Sequence, residues 1–274
     1  MDLDVFTFIT RHGADYAEYL KQTSELNLSG KHKINWKYVE SLDVERKPKG
    51  FECVCKTGGR KQKNTIRHSL ALKKALDYIK SDYVLFVDMD VVILYKDWDD
   101  VIINKLNKYD CFGGAYNLHG NSAQKRLYNN FPKINLFAFR RDILEKVDLD
   151  FSPFITINNR RCSTFILSKD DAHIFEMKKG SEFRCDTGWK LPMIFKNNGL
   201  TNYCMPCYLL HEKTSKLRLL DKKHKEMNLD RNKVIEEWHY NDKVFATHKK
   251  HSRTDRLDST SGLFWKHLIE LYMK

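Results

Sequence analysis

Short apolar runs alternate with amphipathic stretches through the first ninety residues, and that order leaves few folds open. Residues 3–10 hold Val5, Phe6, Phe8 and Ile9, a density that suits a strand covered on both faces. Arg11, His12 and Gly13 read as its exit loop, and residues 14–26 as the following helix. Residues 34–39 and 51–55 predict a second and a third strand. Residues 56–64, with Gly58-Gly59 inside them, predict a flexible loop. Residues 65–80 predict a helix, because Ile66, Leu70, Leu72, Leu76 and Ile79 lie broadly on one side. Residues 83–87 are a fourth apolar strand. Strand–helix–strand alternation of this kind predicts an α/β protein, with a mixed, mainly parallel sheet flanked by helices.

The second half is less regular. Residues 97–106 predict a helix, and residues 111–116 and 134–139 predict strands, the latter interrupted by Asn135. Residues 183–186 lead into a helix predicted over 187–196 and ended by Asn197-Asn198-Gly199. Residues 244–247 are a late strand followed by His248. No internal repeat or Pro/Gly/Ser linker divides the 274 residues, which predicts a single domain with a C-terminal extension. An apolar fraction of 42% with only 12 Gly and 5 Pro excludes a disordered or collagen-like chain. No run approaches the ~20 apolar residues of a membrane span. The start, MDLDVFTF, has no basic region before its apolar stretch and reads as a first strand, not a signal peptide. Seven cysteines, an odd count in a chain too long to need staples, predict a reducing, cytoplasmic setting.

The net charge of +12 is concentrated in two places. Residues 56–74 carry seven Lys/Arg and no acid, and residues 213–233 carry eight bases against three acids. Such stretches favour polyphosphate ligands, nucleic acid or an anionic surface, although a merely solvated basic face has the same composition.

The apolar run YVLFV ends in Asp88-Met89-Asp90. Residues two apart on a strand point to the same side, so the two carboxylates are expected to converge. Paired hard oxygen ligands at the C-terminal edge of an open α/β sheet suit Mg²⁺ or Mn²⁺ with a diphosphate.

At RHSLALKKALDYIKSDYVLFVDMDVVIL, residues 67–94, the sequence resembles the GT-A glycosyltransferases, which transfer sugars from nucleotide-sugar donors. The resemblance covers roughly the first 100 residues well and the next 100 more loosely. It implies a nucleotide-sugar-binding half at 1–107, an acceptor half at 108–212 and a basic C-terminal extension at 213–274. It also implies Mn²⁺ or Mg²⁺ between Asp88, Asp90 and the donor diphosphate, with Asp90 the firmer ligand and Asp88 near the ribose or sugar. Thr10 and Arg11 would line the nucleotide, together with Met89 and with Arg60, Arg67 and His68 around the basic helix start. A helix N-terminus beside cations is itself an anion site. Asp186, in FRCDTGWKL, would be the general base toward the acceptor hydroxyl, and it also suits a helix N-cap. Trp189 would stack on a sugar or fill core. His248 would be a third metal ligand, favoured over His251 because it ends a strand.

The implied donor is a UDP-sugar by default. The acceptor would be a glycan, a glycoprotein or a hydroxymethylated DNA base, with peripheral contact to an anionic surface. A viral or phage enzyme of this kind would work in the host cytosol. Two rivals stand beside this reading. An apolar run before DxD also resembles the first motif of HAD-type phosphatases, but that motif lies near the N-terminus and is followed by Gly-Thr or Gly-Val. Here Val91-Val92 follow. A non-enzymatic nucleic-acid-binding module would account for the charge alone. Cys53/Cys55 and Cys204/Cys207 lie ~150 residues apart without a His/Cys cluster, and so read as plain thiols more readily than as a zinc site.

Overall fold

The computed structural model describes residues 1–40, 44–57, 64–117, 130–175, 179–220, 235–250 and 256–274. The chain opens with β1 (Asp2–Ile9), α1 (Ala14–Glu25), β2 (Lys33–Glu40), β3 (Glu52–Lys56), α2 (Asn64–Leu76) and β4 (Tyr83–Asp88), in the order that the apolar pattern predicts. There follow β5 (Val91–Ile93), α3 (Trp98–Leu106), β6 (Cys111–Gly114), β7 (Leu136–Arg140) and α4 (Ile143–Lys146). Two hairpins come next, β8 (Ile155–Ile157) with β9 (Arg160–Cys162), then β10 (Thr164–Ile166) with β11 (Glu182–Arg184), and α5 (Lys169–Ile174) lies inside the second. The last elements are α6 (Leu191–Asn197), β12 (Asn202–Met205), β13 (Cys207–Leu209), α7 (Lys216–Leu220), β14 (Ile235–Tyr240), β15 (Lys243–Lys249) and α8 (Thr260–Tyr272).

Seven strands form the main sheet in the order β12-β6-β7-β4-β1-β2-β3. β7 is antiparallel to both of its neighbours, and the other pairings are parallel. This is a mixed, mainly parallel α/β sheet flanked by helices. Alternate residues of its central strands enter different cores. Phe6 and Phe8 of β1 and Val84 and Phe86 of β4 pack with Ala71, Leu72 and Ala75 of α2. Leu3, Val5, Leu85 and Val87 pack on the opposite face with Leu20, Trp98 and Ile102. Both faces are dry, which is why the strands read as unbroken apolar runs.

A second, antiparallel sheet has the order β13-β14-β15-β5. Short β5 is the strand that sequence reading left unassigned. It pairs with β15 through Ala246↔Ile93, Thr247↔Val92 and His248↔Val91, so the chain changes sheets directly after β4.

Two expectations need correction. Asp88 and Asp90 do not share a strand: Asp88 closes β4, Met89 and Asp90 form a turn, and β5 begins at Val91. The helix predicted over 187–196 begins at Leu191, so Asp186 does not cap it. Gly188, at φ +77°, turns the chain first, and Pro192 then sits in the first helical turn, where its missing N–H costs nothing. α2 is also shorter than predicted. Past Leu76 the backbone tightens to i→i−3 bonds at Asp77, Tyr78 and Ile79, which brings the Lys80 and Ser81 N–H groups to Asp4 Oδ2.

Candidate metal centre

Asp88, Asp90 and His248 bring one ligand atom each to within 4.8 Å of one another. Each comes from a different piece of chain: the end of β4, the turn after it, and β15. The pairing of β15 with β5 sets His248 opposite Val91, next to Asp90, and Lys249 N–H donates to the Asp90 carbonyl at 2.9 Å. His248 Nε2 stands 3.5 Å from Asp90 Oδ1.

Around this set lies a ring of polar partners. Asp88 N–H donates to the Asn135 carbonyl at 3.0 Å, and the Asn135 amide donates back to Asp88 Oδ2. His68 Nε2, from α2, lies 3.3 Å from Asp88 Oδ1. Burial opposes ionisation of Asp88, but His68, His248 and the Asn135 amide outweigh it and hold the carboxyl at about 2. Burial likewise disfavours the His248 cation, yet Asp90 and Glu236 raise its pKa above the usual imidazole value. Glu236 lies directly opposite His248 in the β14–β15 register, with Oε2 2.9 Å from Nδ1. Lys133 Nζ is 2.5 Å from the same oxygen, and Lys250 Nζ is 2.6 Å from Oε1.

The remaining sequence candidates fall into place unevenly. Thr10 donates to Met89 Sδ at 3.7 Å, and Met89 is buried beneath the two aspartates' turn among Ile9, Tyr16 and Val92. Arg11 is exposed and pairs with Glu45 at 3.3 Å. Arg67 is half-buried on α2 beside His68. Arg60, Lys61, Lys63, His251 and Arg253 lie outside the described residues. Asp186 is half-buried in the turn after β11, where Oδ1 accepts from Thr187 N–H at 2.8 Å, and it is not part of the ligand cluster. Trp189 fills core against Phe165 and Phe183, at 5.0 and 5.7 Å between centroids. Among the described residues the three-ligand cluster contains no cysteine. Cys111, Cys185 and Cys207 are buried, and Cys53 is exposed.

Sequence reading missed Lys133, Asn135 and Glu236. Asn135 alone left a trace, as the polar residue interrupting an apolar run. An ordinary acid within IEEWHY carries no mark of its partner twelve residues away.

No protein-family model matches the chain, and no curated protein matches it. Similar solved structures include the galactosyltransferase LgtC in complex with donor and acceptor sugar analogues, at 9% identity over 98% of this chain and 95% of that one, with a TM-score of 0.49. The mannosyltransferase PcManGT from Pyrobaculum calidifontis, in complex with GDP-Man and Mn²⁺, matches at 15% identity over 52% of this chain, with a TM-score of 0.36. TarS from S. aureus, in complex with UDP, matches at 14% identity over 56% of this chain, with a TM-score of 0.37. The matched regions span 45% of the mannosyltransferase and 50% of TarS. Likenesses this distant decide nothing about this chain's reaction. Among the described residues no helix is long and apolar enough to cross a membrane.

Proposed function

We propose that the protein is a metal-dependent glycosyltransferase, moving a sugar from a nucleotide-sugar donor to an acceptor hydroxyl. The observation that carries this reading is the Asp88–Asp90–His248 cluster at the C-terminal edge of β4. Two hard carboxylate oxygens with one imidazole nitrogen fit Mn²⁺, and Mg²⁺ after it. The fit extends to charge, because Asp88 is ionised at any physiological pH. A bound ion would offset the charge that develops on the departing nucleoside diphosphate.

The chain's own residues do the rest. Asp88, Asp90 and His248 would hold the ion, and Asn135 fixes Asp88 by donating to Oδ2. His68, against Asp88 and the Phe8 ring, is the proposed contact for the donor's ribose or base. The acceptor oxygen forms a bond to the anomeric carbon as the bond from that carbon to the diphosphate oxygen breaks. Asp186 is the proposed base for the acceptor proton, and a UDP-sugar is the default donor.

For the acceptor, the basic stretch at 213–233 supports a polyanion such as hydroxymethylated DNA, or an anionic surface beside a glycan or glycoprotein substrate. Glycosylating a base within a duplex would require flipping it out. Residues 221–234 lie outside the described residues. Three to five phosphate contacts would give a log–log salt slope of roughly −3 to −4.5 on duplex DNA. A neutral glycan acceptor would leave transfer almost indifferent to salt.

The test is a donor screen with purified protein, Mn²⁺ and a panel of nucleotide sugars, reading released nucleoside diphosphate. Asp90→Asn should abolish the metal-dependent release. Turnover surviving within about tenfold, or ~1.4 kcal/mol of barrier, overturns the metal assignment. Release of inorganic phosphate from phosphomonoesters instead would favour the phosphatase reading.

A further inference from the structure

Glu236 is 2% exposed and lies outside the ligand cluster, yet three cation-capable groups converge on its carboxylate. Oε2 accepts from Lys133 Nζ at 2.5 Å and from His248 Nδ1 at 2.9 Å, and Oε1 accepts from Lys250 Nζ at 2.6 Å. Lys133 is itself 3% exposed. A buried ion pair contributes little net stability, and a well-packed apolar pair of similar volume would serve the fold as well. What an apolar pair cannot supply is direction.

An imidazole can give one nitrogen to a metal when its other nitrogen carries the proton. A carboxylate only accepts, so when Nε2, on the side of Asp90, gives up its proton to take an ion, Glu236 would hold the remaining proton on Nδ1. The ring plane is fixed as well. Trp238 stacks on His248 with centroids 5.9 Å apart and 8° between the planes. Trp238 is held in turn by its Nε1–H to the Ala115 carbonyl at 2.9 Å, and its ring occupies the space a Cβ on Gly114 would need.

Lys133 approaches from the segment before β7, where its N–H donates to the Gly114 carbonyl at 2.8 Å. Two residues later Asn135 grips Asp88. One short stretch therefore braces both sides of the ligand set, through Glu236 and His248 on one side and Asp88 on the other.

We infer that Glu236 is a positioning residue of the metal centre, fixing His248 with Nε2 presented to the ion, and that Lys133 is the buried counter-charge that holds Glu236 in place. This rests on the metal-dependent reading above. With Nδ1 turned to Glu236, His248 would offer an ion its Nε2, and loss of Glu236 would free the ring to adopt the other tautomer.

The decisive variant is Lys133→Met/Glu236→Leu, which removes both charges while keeping the volume filled, so the fold should persist. Its Mn²⁺ affinity, read from the free-ion electron paramagnetic resonance signal, is expected to fall 10–100-fold. In metal-free protein, at a pH high enough for the ring to be neutral, ¹⁵N histidine spectra should place the His248 proton on Nδ1 in the wild type and divide it between the two tautomers in the double variant. Glu236→Gln, whose amide oxygen can still accept from Nδ1, should recover part of the affinity. A folded double variant that binds Mn²⁺ like wild type, with the proton still on Nδ1, overturns the inference. If the double variant unfolds, Glu236→Gln decides: wild-type affinity overturns it, and a several-fold loss supports it. If Asp90→Asn binds Mn²⁺ as the wild type does, the metal-centre reading fails first and takes this inference with it.

Discussion

Asn135 and Asp88 hold each other twice: the Asp88 N–H reaches the Asn135 carbonyl at 3.0 Å, and the Asn135 amide returns a hydrogen bond to the Asp88 carboxylate. The backbone bond continues the β4–β7 ladder one step past Val87↔Leu136. The side-chain bond aims a carboxylate that would otherwise swing at a strand end. Asn135→Ala deletes only the second bond. Hydrogen bonds to charged groups are worth about 1.5–3 kcal/mol, so Mn²⁺ affinity should drop about tenfold or more with little change in Tm. Titration calorimetry checks this, and unchanged affinity would mean that Asp88 is positioned without Asn135.

Gly13 lies under Met89. A Cβ at that position would stand 2.2 Å from Met89 Sδ and 3.1 Å from the Ile9 side chain. Its φ of −82° is ordinary, so the constraint is space and not backbone conformation. Gly13→Ala should therefore destabilise by about 1–3 kcal/mol through overpacking. Because Met89 separates the two aspartates, the same variant should weaken Mn²⁺ binding. Thermal melts and metal titration read the two effects separately, and a variant as stable as wild type would show that Met89 repacks freely.

At the opposite edge of the sheet, Asp4 is fully buried, with Lys37 Nζ 2.8 Å from Oδ2 and with Ser81 and the Lys80 N–H bound to the same carboxylate. Burial raises the Asp4 pKa, but Lys37, Lys80 and Ser81 together lower it below the ordinary value. A carboxylate with a depressed folded pKa stabilises the fold above its unfolded pKa, about 3.9, and that stabilisation is lost as pH falls through the folded value. Asp4→Asn should lower stability at pH 7 by about 3–5 kcal/mol, because Lys37 is left buried without its partner. It should also flatten the fall in Tm below pH 4. Melts across that range decide whether the pair has this role.

Asp186 is the proposed base, and its carboxylate accepts from the next residue's N–H inside a turn. A base acts in the chemical step, so Asp186→Asn should lower kcat for transfer by 10²–10⁴ while leaving donor KM and Mn²⁺ affinity near wild type. If the variant instead loses thermal stability and keeps its specific activity, Asp186 only shapes the turn before α6.

The alternation of strand and helix, the parallel sheet at its centre and the two aspartates were all legible along the chain. Each is a local pattern: apolar residues covered on both faces leave an unbroken run, and carboxylates at its end break that run abruptly. β5 escaped notice because three apolar residues following two acids look like the tail of the preceding strand. His248 could be named from its place at the end of a late apolar run, but its neighbours could not. Asp90 meets His248 because β5 leaves the main sheet and pairs with β15, and Glu236 meets it because β14 pairs in a particular register. Register is a matter of which strands lie side by side, and nothing in the composition of IEEWHY states it. Sequence thus determined the sheet and the carboxylates at its edge. Only the packing of a second sheet against the first decided that an imidazole, a buried acid and a buried lysine would stand behind them.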